Sequence, residues 1–253
     1  MNVNSFQQRI ERINGLSVVI TGGTTGIGRA TAILLASLGA NVLIAGRNEQ
    51  HLEDTLESVK GEELKGQLNG IIADLATEEG ISKLFTEADS QLGRLDVMIN
   101  NAALAFQGVA DGSYTDWEEI VHTNVLGYIA CSRMALDRMK ENGKGHIVNI
   151  GSMSADVREK DSSVYVATKS AIQGFSESFR KEVNELGIKV SLIEPGAVGT
   201  DMQPVSVEDQ RKNEEKGEMM IAEDIAEAVL YTLIQADRCD VVELKLRPHL
   251  QLI

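Results

Sequence analysis

Tyr165 and Lys169 have the side-chain types and the spacing that proton transfer requires. They lie four residues apart in the segment Ser163-Val-Tyr-Val-Ala-Thr-Lys169, and Ser152 precedes them. Residues four apart on a helix share a face, so the ammonium would lie beside the phenol and lower its pKa from the usual value of about 10. The phenol could then exchange a proton with a substrate oxygen at neutral pH, and the Ser152 hydroxyl would steady that oxygen. By itself, the tyrosine–lysine pair is typical of a solvated helix face, and only its context favours chemistry.

A glycine-rich loop near the start of the chain supplies that context. The β-branched run at residues 16–21 predicts a buried strand, and the apolar spacing of residues 29–38 predicts a helix. The loop between them, Thr21-Gly-Gly-Thr-Thr-Gly-Ile-Gly28, would present backbone amides and a helix N-terminus to a pyrophosphate. Its Gly-x-x-x-Gly-x-Gly spacing is wider than the dinucleotide fingerprint Gly-x-Gly-x-x-Gly, and glycine loops also form plain tight turns. The loop is therefore a hypothesis that the surrounding elements must support.

Those elements predict a single doubly wound α/β domain. Several predicted helices end in glycine and are followed by an apolar run that predicts a strand. This pattern is typical of strand–helix–strand units. We expect a mostly parallel seven-stranded sheet of Rossmann type with helices on both faces, its strands at residues 16–21, 40–45, 70–73, 95–99, 146–150, 188–193 and 240–245. Ligands of such sheets bind beyond the carboxyl ends of the strands. The residues that fall at those ends are Thr21, Asn100, Ser152 and Pro195.

The length of 253 residues would also allow two small domains, but the convergence of these strand ends favours one. We expect that domain to cover residues 1–253. Residues 1–15 would form an N-terminal extension, in which Phe6, Ile10 and Ile13 mark one face of a short helix that packs on the domain; an arginine-bearing transit segment is the weaker alternative. Residues 198–218 would form a substrate lid, although the charged part at 203–217 is equally typical of a solvated helix.

On these motifs the chain resembles the short-chain dehydrogenase/reductase family over residues 16–246. The family's Asn-Asn-Ala and Pro-Gly-x-x-x-Thr segments correspond to Asn100-Asn-Ala102 and to residues 195–200, and Ala103 stands where the family usually has glycine. The resemblance implies a catalytic set of Asn124, Ser152, Tyr165 and Lys169.

In that set, Tyr165 protonates a carbonyl oxygen, while Lys169 lowers the tyrosine pKa and bonds the nicotinamide ribose. Asn124 holds a water that links the lysine to solvent. A mid-helix asparagine that bonds its own backbone is the plainer alternative for Asn124.

The same resemblance implies a nicotinamide cofactor, and Arg47 favours NADP over NAD. NAD binders usually place an acidic residue at the end of the second strand, but this strand ends Ile44-Ala-Gly46-Arg47 without a carboxylate. An arginine there can hold a 2′-phosphate. The alternative is an exposed arginine that caps the next helix, with either cofactor accepted. The expected cofactor-binding residues are Thr21, Gly22, Thr24, Thr25, Gly26, Ile27, Gly28, Arg47, Asp74 (against the adenine), Asn101, Ala102, Tyr165, Lys169, Pro195, Gly196, Val198 and Thr200.

These features predict an NADP(H)-dependent oxidoreductase that interconverts a carbonyl and an alcohol. The chain end Val241-Val-Glu-Leu-Lys-Leu-Arg-Pro-His-Leu-Gln-Leu-Ile253 is similar to the branch that oxidises hydroxy acids and reduces small aldehydes or ketones. The expected pocket lining is residues 104–105, 153–157 and 196–202. A non-catalytic protein that senses NADP(H), and an epimerase or dehydratase on the same fold, are the alternatives. The retained tyrosine and lysine favour an enzyme over a sensor.

Composition limits the partners. The formal net charge of −14 repels nucleic acid and anionic membrane surfaces, and no stretch approaches 18 apolar residues. We expect no metal site, because the four histidines and two cysteines lack ligand spacing. Both cysteines are expected to be buried, free thiols, which suit a reducing cytoplasm. The family resemblance implies a homodimer or homotetramer formed through the helices at 116–139 and 163–186, to which the tail could add.

Overall fold

Seven parallel strands form one sheet at the centre of the domain, in the order β3-β2-β1-β4-β5-β6-β7. The computed structural model describes residues 4–251, and the side chains of 7–251. Successive strands are added toward one edge of the sheet from β1 to β3 and toward the other edge from β4 to β7. Doubly wound sheets bind their ligands at this switch point, between β1 and β4. The predicted fold class is confirmed. The strands are β1 (Ser17–Thr21), β2 (Asn41–Gly46), β3 (Gln67–Ile72), β4 (Val97–Asn100), β5 (Gly145–Ile150), β6 (Ile188–Pro195) and β7 (Glu243–Leu246).

Helices connect the strands and cover both faces of the sheet. They are α1 (Asn4–Ile10), α2 (Gly26–Ser37), α3 (Glu49–Ser58), α4 (Glu78–Leu92), α5 (Tyr114–Val121), α6 (Gly127–Asn142), α7 (Ser154–Val157), α8 (Ser163–Val183), α9 (Val207–Glu215) and α10 (Ala222–Leu233). A π-helical turn at His122–Leu126 joins α5 to α6, and short 3-10 turns follow α1 and α8.

Alternate side chains of each strand enter two separate cores. Val18 and Ile20 of β1 pack with α2 and α10 on one face, whereas Val19 packs with α4, α6 and α8 on the other. Because successive side chains of a strand point to opposite faces, a strand covered on both sides needs apolar residues throughout. All five residues of β1 are buried, which explains its continuous apolar run.

Several element boundaries differ from those that the sequence predicts. Helix α2 begins at Gly26, three residues before the predicted residue 29, so the glycine loop itself contains the helix N-terminus. Strand β7 covers Glu243–Leu246 rather than 240–245. The main-chain carbonyls of Val241 and Val242 still bind β6, since they accept from Ser191 Oγ at 2.6 Å and from the Leu192 amide at 3.0 Å.

The N-terminal segment forms α1 and the turn that follows it. Ile13 is fully buried in the core of the α2 face, with Ile10 packed against it. Arg12 pairs with Asp237 at 3.1 Å across the surface. The side chain of Phe6, the third residue of the predicted apolar stripe, lies outside the described residues.

Of the two cysteines, only Cys131 is buried. Cys239 is exposed in the turn before β7, so the prediction of two buried thiols is wrong for this residue. No helix in the span 4–251 combines the length and the apolar character needed to cross a membrane.

Candidate active site

Two glycines of the loop between β1 and α2 lie where a side chain would not fit. A Cβ on Gly22 would lie 2.8 Å from Ala102 Cα, and a Cβ on Gly28 would lie 2.1 Å from the Gly22 carbonyl oxygen. Gly22 and Gly26 also have positive φ values of 61° and 50°, which glycine adopts without steric cost. Gly28 is buried inside α2 and lines neither of the two cavities described below, and a contact between it and a cofactor stays a prediction.

Thr21 and Asn101 lock this loop to the end of β4. The Thr21 hydroxyl accepts from the amides of Asn101 and Ala102 at 2.9 and 3.1 Å. The Asn101 side chain donates back to the carbonyls of Thr21 and Gly22 at 3.0 and 2.9 Å. Thr21 is 2% exposed and holds the glycine loop against the end of β4, and its contact with a cofactor stays a prediction.

A cavity of about 500 Å³ opens beside the loop, at the ends of β1, β2 and β3. Its walls hold many of the residues expected to bind the adenosine half of a dinucleotide: Gly22, Thr24, Thr25, Gly26, Ile27, Arg47, Asp74, Asn101, Ala102 and Thr200. Leu104, expected near the substrate, lies here instead. Asn48 and His51 also line this cavity, although no sequence motif indicates a binding role for either.

Arg47 lines this cavity at the end of β2, and its side chain already has a partner. Its Nη1 lies 2.6 Å from Oε1 of Glu119 on α5, and both side chains are about half exposed. Asp74 is exposed nearby, and its Oδ1 accepts from the Ala76 amide at 3.1 Å.

A second cavity, of about 780 Å³, continues from the first toward the ends of β5 and β6. Ser152, Tyr165 and Lys169 line it together with Pro195, Gly196 and Val198. The two cavities share Ile27, Asn101, Ala103, Thr200 and Met202, so they form one continuous cleft along the carboxyl ends of the strands.

Lys169 is buried at the back of this cleft. Its ammonium donates to the Ile150 carbonyl at 3.1 Å and lies 5.7 Å from the ring centres of both Tyr165 and Tyr128. The Tyr128 hydroxyl donates to the same carbonyl at 3.1 Å, a role that the sequence did not indicate. Burial lowers the pKa of Lys169 to about 8, and the charge of Glu194 opposes part of this shift.

Tyr165 has a raised pKa, where the sequence predicted a lowered one. Burial is the largest cause, while the hydrogen bond with Ser152 acts in the opposite direction and the charge of Glu159 adds to the rise. The prediction counted the helical neighbour Lys169 but not the loss of solvent around the phenol. Without a bound ligand, Tyr165 is therefore a protonated acid at neutral pH.

Asn124 lies in the π-helical turn, fully buried and outside both cavities. Its Oδ1 accepts from the Leu104 amide at 2.7 Å, and its Nδ2 donates to the Leu104 carbonyl at 2.9 Å. The alternative that Asn124 bonds its own backbone is wrong, since the partner is the segment after β4. A water held between Asn124 and Lys169 stays a prediction.

Glu194 is a second buried ionisable group, close to the residue that precedes Ser152. It is fully buried on β6, and its Oε1 has no hydrogen-bond partner within the described chain. A Cβ on Gly151, the residue before Ser152, would lie 3.3 Å from that oxygen. Burial raises the pKa of Glu194 to about 7, although Lys245 lowers it in part.

The other oxygen of Glu194 faces a cluster of charges on the surface. Asp156, Glu194 and Glu243 bring three carboxylates close enough to hold a cation. The Lys245 ammonium already serves as that cation, at 2.6 Å from Glu243, at 3.5 Å from Glu194 and in direct contact with Asp156. The cluster is thus an ion-pair network.

The predicted lid segment borders the catalytic cavity. Met202, Gln203 and Pro204 line the cavity, and a bridge between Val198 and Met220 closes the base of the segment. Thr25 of the glycine loop donates to Asp201 at 3.1 Å, which links this segment to the cradle. Whether it moves as a lid stays a prediction.

Other walls of the catalytic cavity come from distant parts of the chain. Of the predicted run 153–157, only Met153 and Ser154 line it. Phe106, Glu159 and Gln251 also line it, with no sequence signal for them. Gln251 accepts from the Ala197 amide at 3.1 Å, so the C-terminal tail supports the loop after β6.

The cleft fits a dinucleotide. At its glycines the loop presents main-chain atoms to the cavity. The first amides of α2, which have no partner within the helix, point to the same place. The buried ammonium of Lys169 lies at the other end of the same cleft, 5.7 Å from the ring centre of Tyr165.

Comparison with known proteins agrees with this geometry. Residues 17–211 match the sequence model of the family described as short chain dehydrogenase. An uncharacterised oxidoreductase of Staphylococcus aureus (strain MRSA252) is 34% identical over 231 residues, which are 91% of this chain and 96% of the relative. A dehydrogenase/reductase from Sinorhizobium meliloti 1021 is 27% identical with a TM-score of 0.84, over 96% of this chain and 98% of that one.

A short-chain dehydrogenase from Burkholderia cenocepacia J2315, solved in complex with NADP, shares the fold with a TM-score of 0.82 at 24% identity, over 94% of this chain and 98% of that chain. The family match covers most of the chain, and it includes the glycine loop, the serine and the tyrosine–lysine pair. The chain therefore belongs to the short-chain dehydrogenase family of oxidoreductases.

Proposed function

We propose that this protein is an NADP(H)-dependent reductase or dehydrogenase that interconverts a small carbonyl compound and the corresponding alcohol. The observation that carries the proposal is the placement of Ser152, Tyr165 and Lys169 in one cavity, continuous with the cradle of the glycine loop. Such a cleft would bring a carbonyl oxygen, a proton donor and a nicotinamide ring together.

The three side chains have separate roles at the carbonyl oxygen. When bound, the nicotinamide supplies or accepts the hydride. The Tyr165 hydroxyl donates a proton to the oxygen during reduction, so that the carbonyl gains one hydride and one proton. The Ser152 hydroxyl hydrogen-bonds the same oxygen and holds it in place. The Lys169 ammonium stabilises the phenolate that remains.

The raised pKa of Tyr165 suits the direction of reduction at neutral pH. A protonated phenol is the state that can donate. Oxidation of the alcohol needs the phenolate instead, so the rate of oxidation should rise with pH. Above pH 8 the loss of the Lys169 proton would oppose that rise, because the pKa of Lys169 is about 8.

Arg47 and the lack of a carboxylate at the end of β2 support NADP over NAD. The guanidinium lines the cavity beside the glycine loop and can offer two parallel donors to a phosphate. The substrate class follows from the chain end, which is similar to the branch that acts on hydroxy acids and small carbonyl compounds. Asn124 would serve proton exchange from behind Lys169.

The proposal is tested by NADPH oxidation with a panel of small ketones, aldehydes and keto acids. Replacement of Tyr165 by phenylalanine should reduce turnover by a factor of about 100 or more, because a positioned acid contributes that much. Tyr114→Phe is the matched control: it removes an exposed phenol on α5 that lines neither cavity, and it should leave turnover unchanged.

Turnover that survives in the Tyr165→Phe variant would contradict the assigned acid. If NADPH binds but no carbonyl compound is reduced, the nucleotide-sensing and epimerase or dehydratase alternatives gain support. Isotope exchange without net NADPH consumption would then separate the epimerase from the sensor.

A further inference from the structure

We propose that Glu119 is a specificity-determining residue: its carboxylate neutralises Arg47 and thereby weakens the preference for a 2′-phosphate over a free 2′-hydroxyl. The proposal rests on the proposed function and adds to it, because Arg47 considered alone favours NADP without any opposing charge. Glu119 lies on α5, far from β2 in the sequence, and only the fold brings it to Arg47, which lines the cavity beside the glycine loop.

The contact uses one edge of the guanidinium. Glu119 Oε1 lies 2.6 Å from Arg47 Nη1, and no second hydrogen bond between the two side chains occurs in the described part of the chain. The other donors of Arg47 remain available to a phosphate. A bound 2′-phosphate would therefore share one arginine with a carboxylate, and the two anions would lie within a few ångströms of each other.

The charge of the group at the 2′ position determines whether Glu119 weakens or strengthens cofactor binding. A 2′-phosphate must overcome the repulsion of Glu119, whereas an uncharged 2′-hydroxyl can donate a hydrogen bond to the same carboxylate. Glu119 thus supplies, beside an arginine that favours phosphate, a carboxylate of the kind that the end of β2 lacks. Both side chains are about half exposed, so salt should screen this competition.

Two adenosine fragments isolate this half of the cleft from the chemistry. Binding of adenosine 2′,5′-bisphosphate and of 5′-AMP is measured by calorimetry on the full chain and on Glu119→Gln. We expect the variant to bind the bisphosphate about fivefold more tightly, the scale of one exposed ion pair, with 5′-AMP unchanged or slightly weaker. At about 1 M salt the gain should disappear. The Kd values of NADP and NAD should change in the same ratio.

Glu118→Gln is the matched control. Glu118 precedes Glu119 on α5, is also exposed, and forms no ion pair within residues 7–251. Its replacement changes the net charge equally and should leave both affinities unchanged. Melting temperatures of both variants check that α5 remains intact.

The remaining outcomes are also decisive. An unchanged or weakened affinity of Glu119→Gln for the bisphosphate overturns the proposal, since Glu119 would then have no role or would merely orient Arg47. Arg47→Met separates the two levels of inference. If Arg47→Met leaves the bisphosphate affinity unchanged, the NADP assignment itself fails. If it lowers that affinity while Glu119→Gln has no effect, only the role of Glu119 fails.

Discussion

Glu194 combines complete burial with an oxygen that lacks a partner, and such groups make stability depend on pH. Its pKa rises from 4.5 to about 7 on folding. Between these two values the folded protein binds more protons than the unfolded chain. The free energy of unfolding should therefore decrease as the pH rises through this window, because ionisation of the buried Glu194 carboxyl destabilises the folded protein. Below this window the carboxyl is protonated in both states and this destabilisation is absent.

Replacement of Glu194 by glutamine should remove this dependence. We expect Glu194→Gln to match the wild type near pH 4.5 and to be more stable by about 2 to 3 kcal/mol above pH 7, since one pKa unit corresponds to about 1.4 kcal/mol. Urea unfolding between pH 4.5 and 8 measures the difference. Glu243→Gln is the control, because Glu243 contacts the same Lys245 from an exposed position. A stability difference that is constant across this range would contradict the assignment.

Glycines in two helices have opposite expected responses to an added methyl group. In α2, a Cβ on Gly28 would collide with the Gly22 carbonyl at 2.1 Å and with Asn101 Nδ2 at 2.5 Å. Gly28→Ala should lower the free energy of unfolding by about 1 to 3 kcal/mol and weaken NADPH binding, because the cradle must shift.

In α8, Gly174 is exposed and has open space around its Cα. Gly174→Ala should raise stability by up to about 1 kcal/mol and leave NADPH binding unchanged. Thermal unfolding and NADPH fluorescence titration measure both variants. Equal effects at the two positions would show that helix propensity, rather than the cradle, determines the result.

At the level of elements, local patterns were sufficient for the fold. Apolar runs and glycine punctuation predict all seven strands, and the glycine loop and the tyrosine–lysine pair locate the cleft. The features that these local patterns did not predict depend on contacts between segments that are distant in the sequence. Glu194 lies inside an apolar strand, and Gln251 reaches the site through the tail. The role proposed for Glu119 depends on its ion pair with Arg47, which lies outside α5. The rise in the Tyr165 pKa depends on burial, which spacing cannot report.

The surface of the whole molecule carries an apolar strip that suits self-association. Leu126 and Ile129 lie one turn apart along the joined helices α5 and α6 and are 48% and 40% exposed. We predict a particle of two or four times 27.4 kDa in size-exclusion chromatography with light scattering. Ile129→Glu should shift it toward the monomer, because a charge in an apolar interface is costly.

Val207→Glu is the control for this shift. Val207 is 65% exposed at the start of α9, away from the helices expected to associate. It should leave the mass unchanged. A monomeric wild type would overturn the predicted homo-oligomer, and equal losses in both variants would place the interface elsewhere.

The π-helical turn at His122–Leu126 determines how α5 is rotated about the helix axis relative to α6. Such a turn holds one residue more than an α-helical turn, so α5 is rotated relative to α6 by about 100° from the ideal path. Deletion of a single residue such as Val125 would restore a regular helix and swing Glu119 away from Arg47, while Tyr128 stayed beside Lys169. Asn124 precedes the deleted residue and would turn with α5, so a one-residue deletion should alter cofactor preference and proton exchange together.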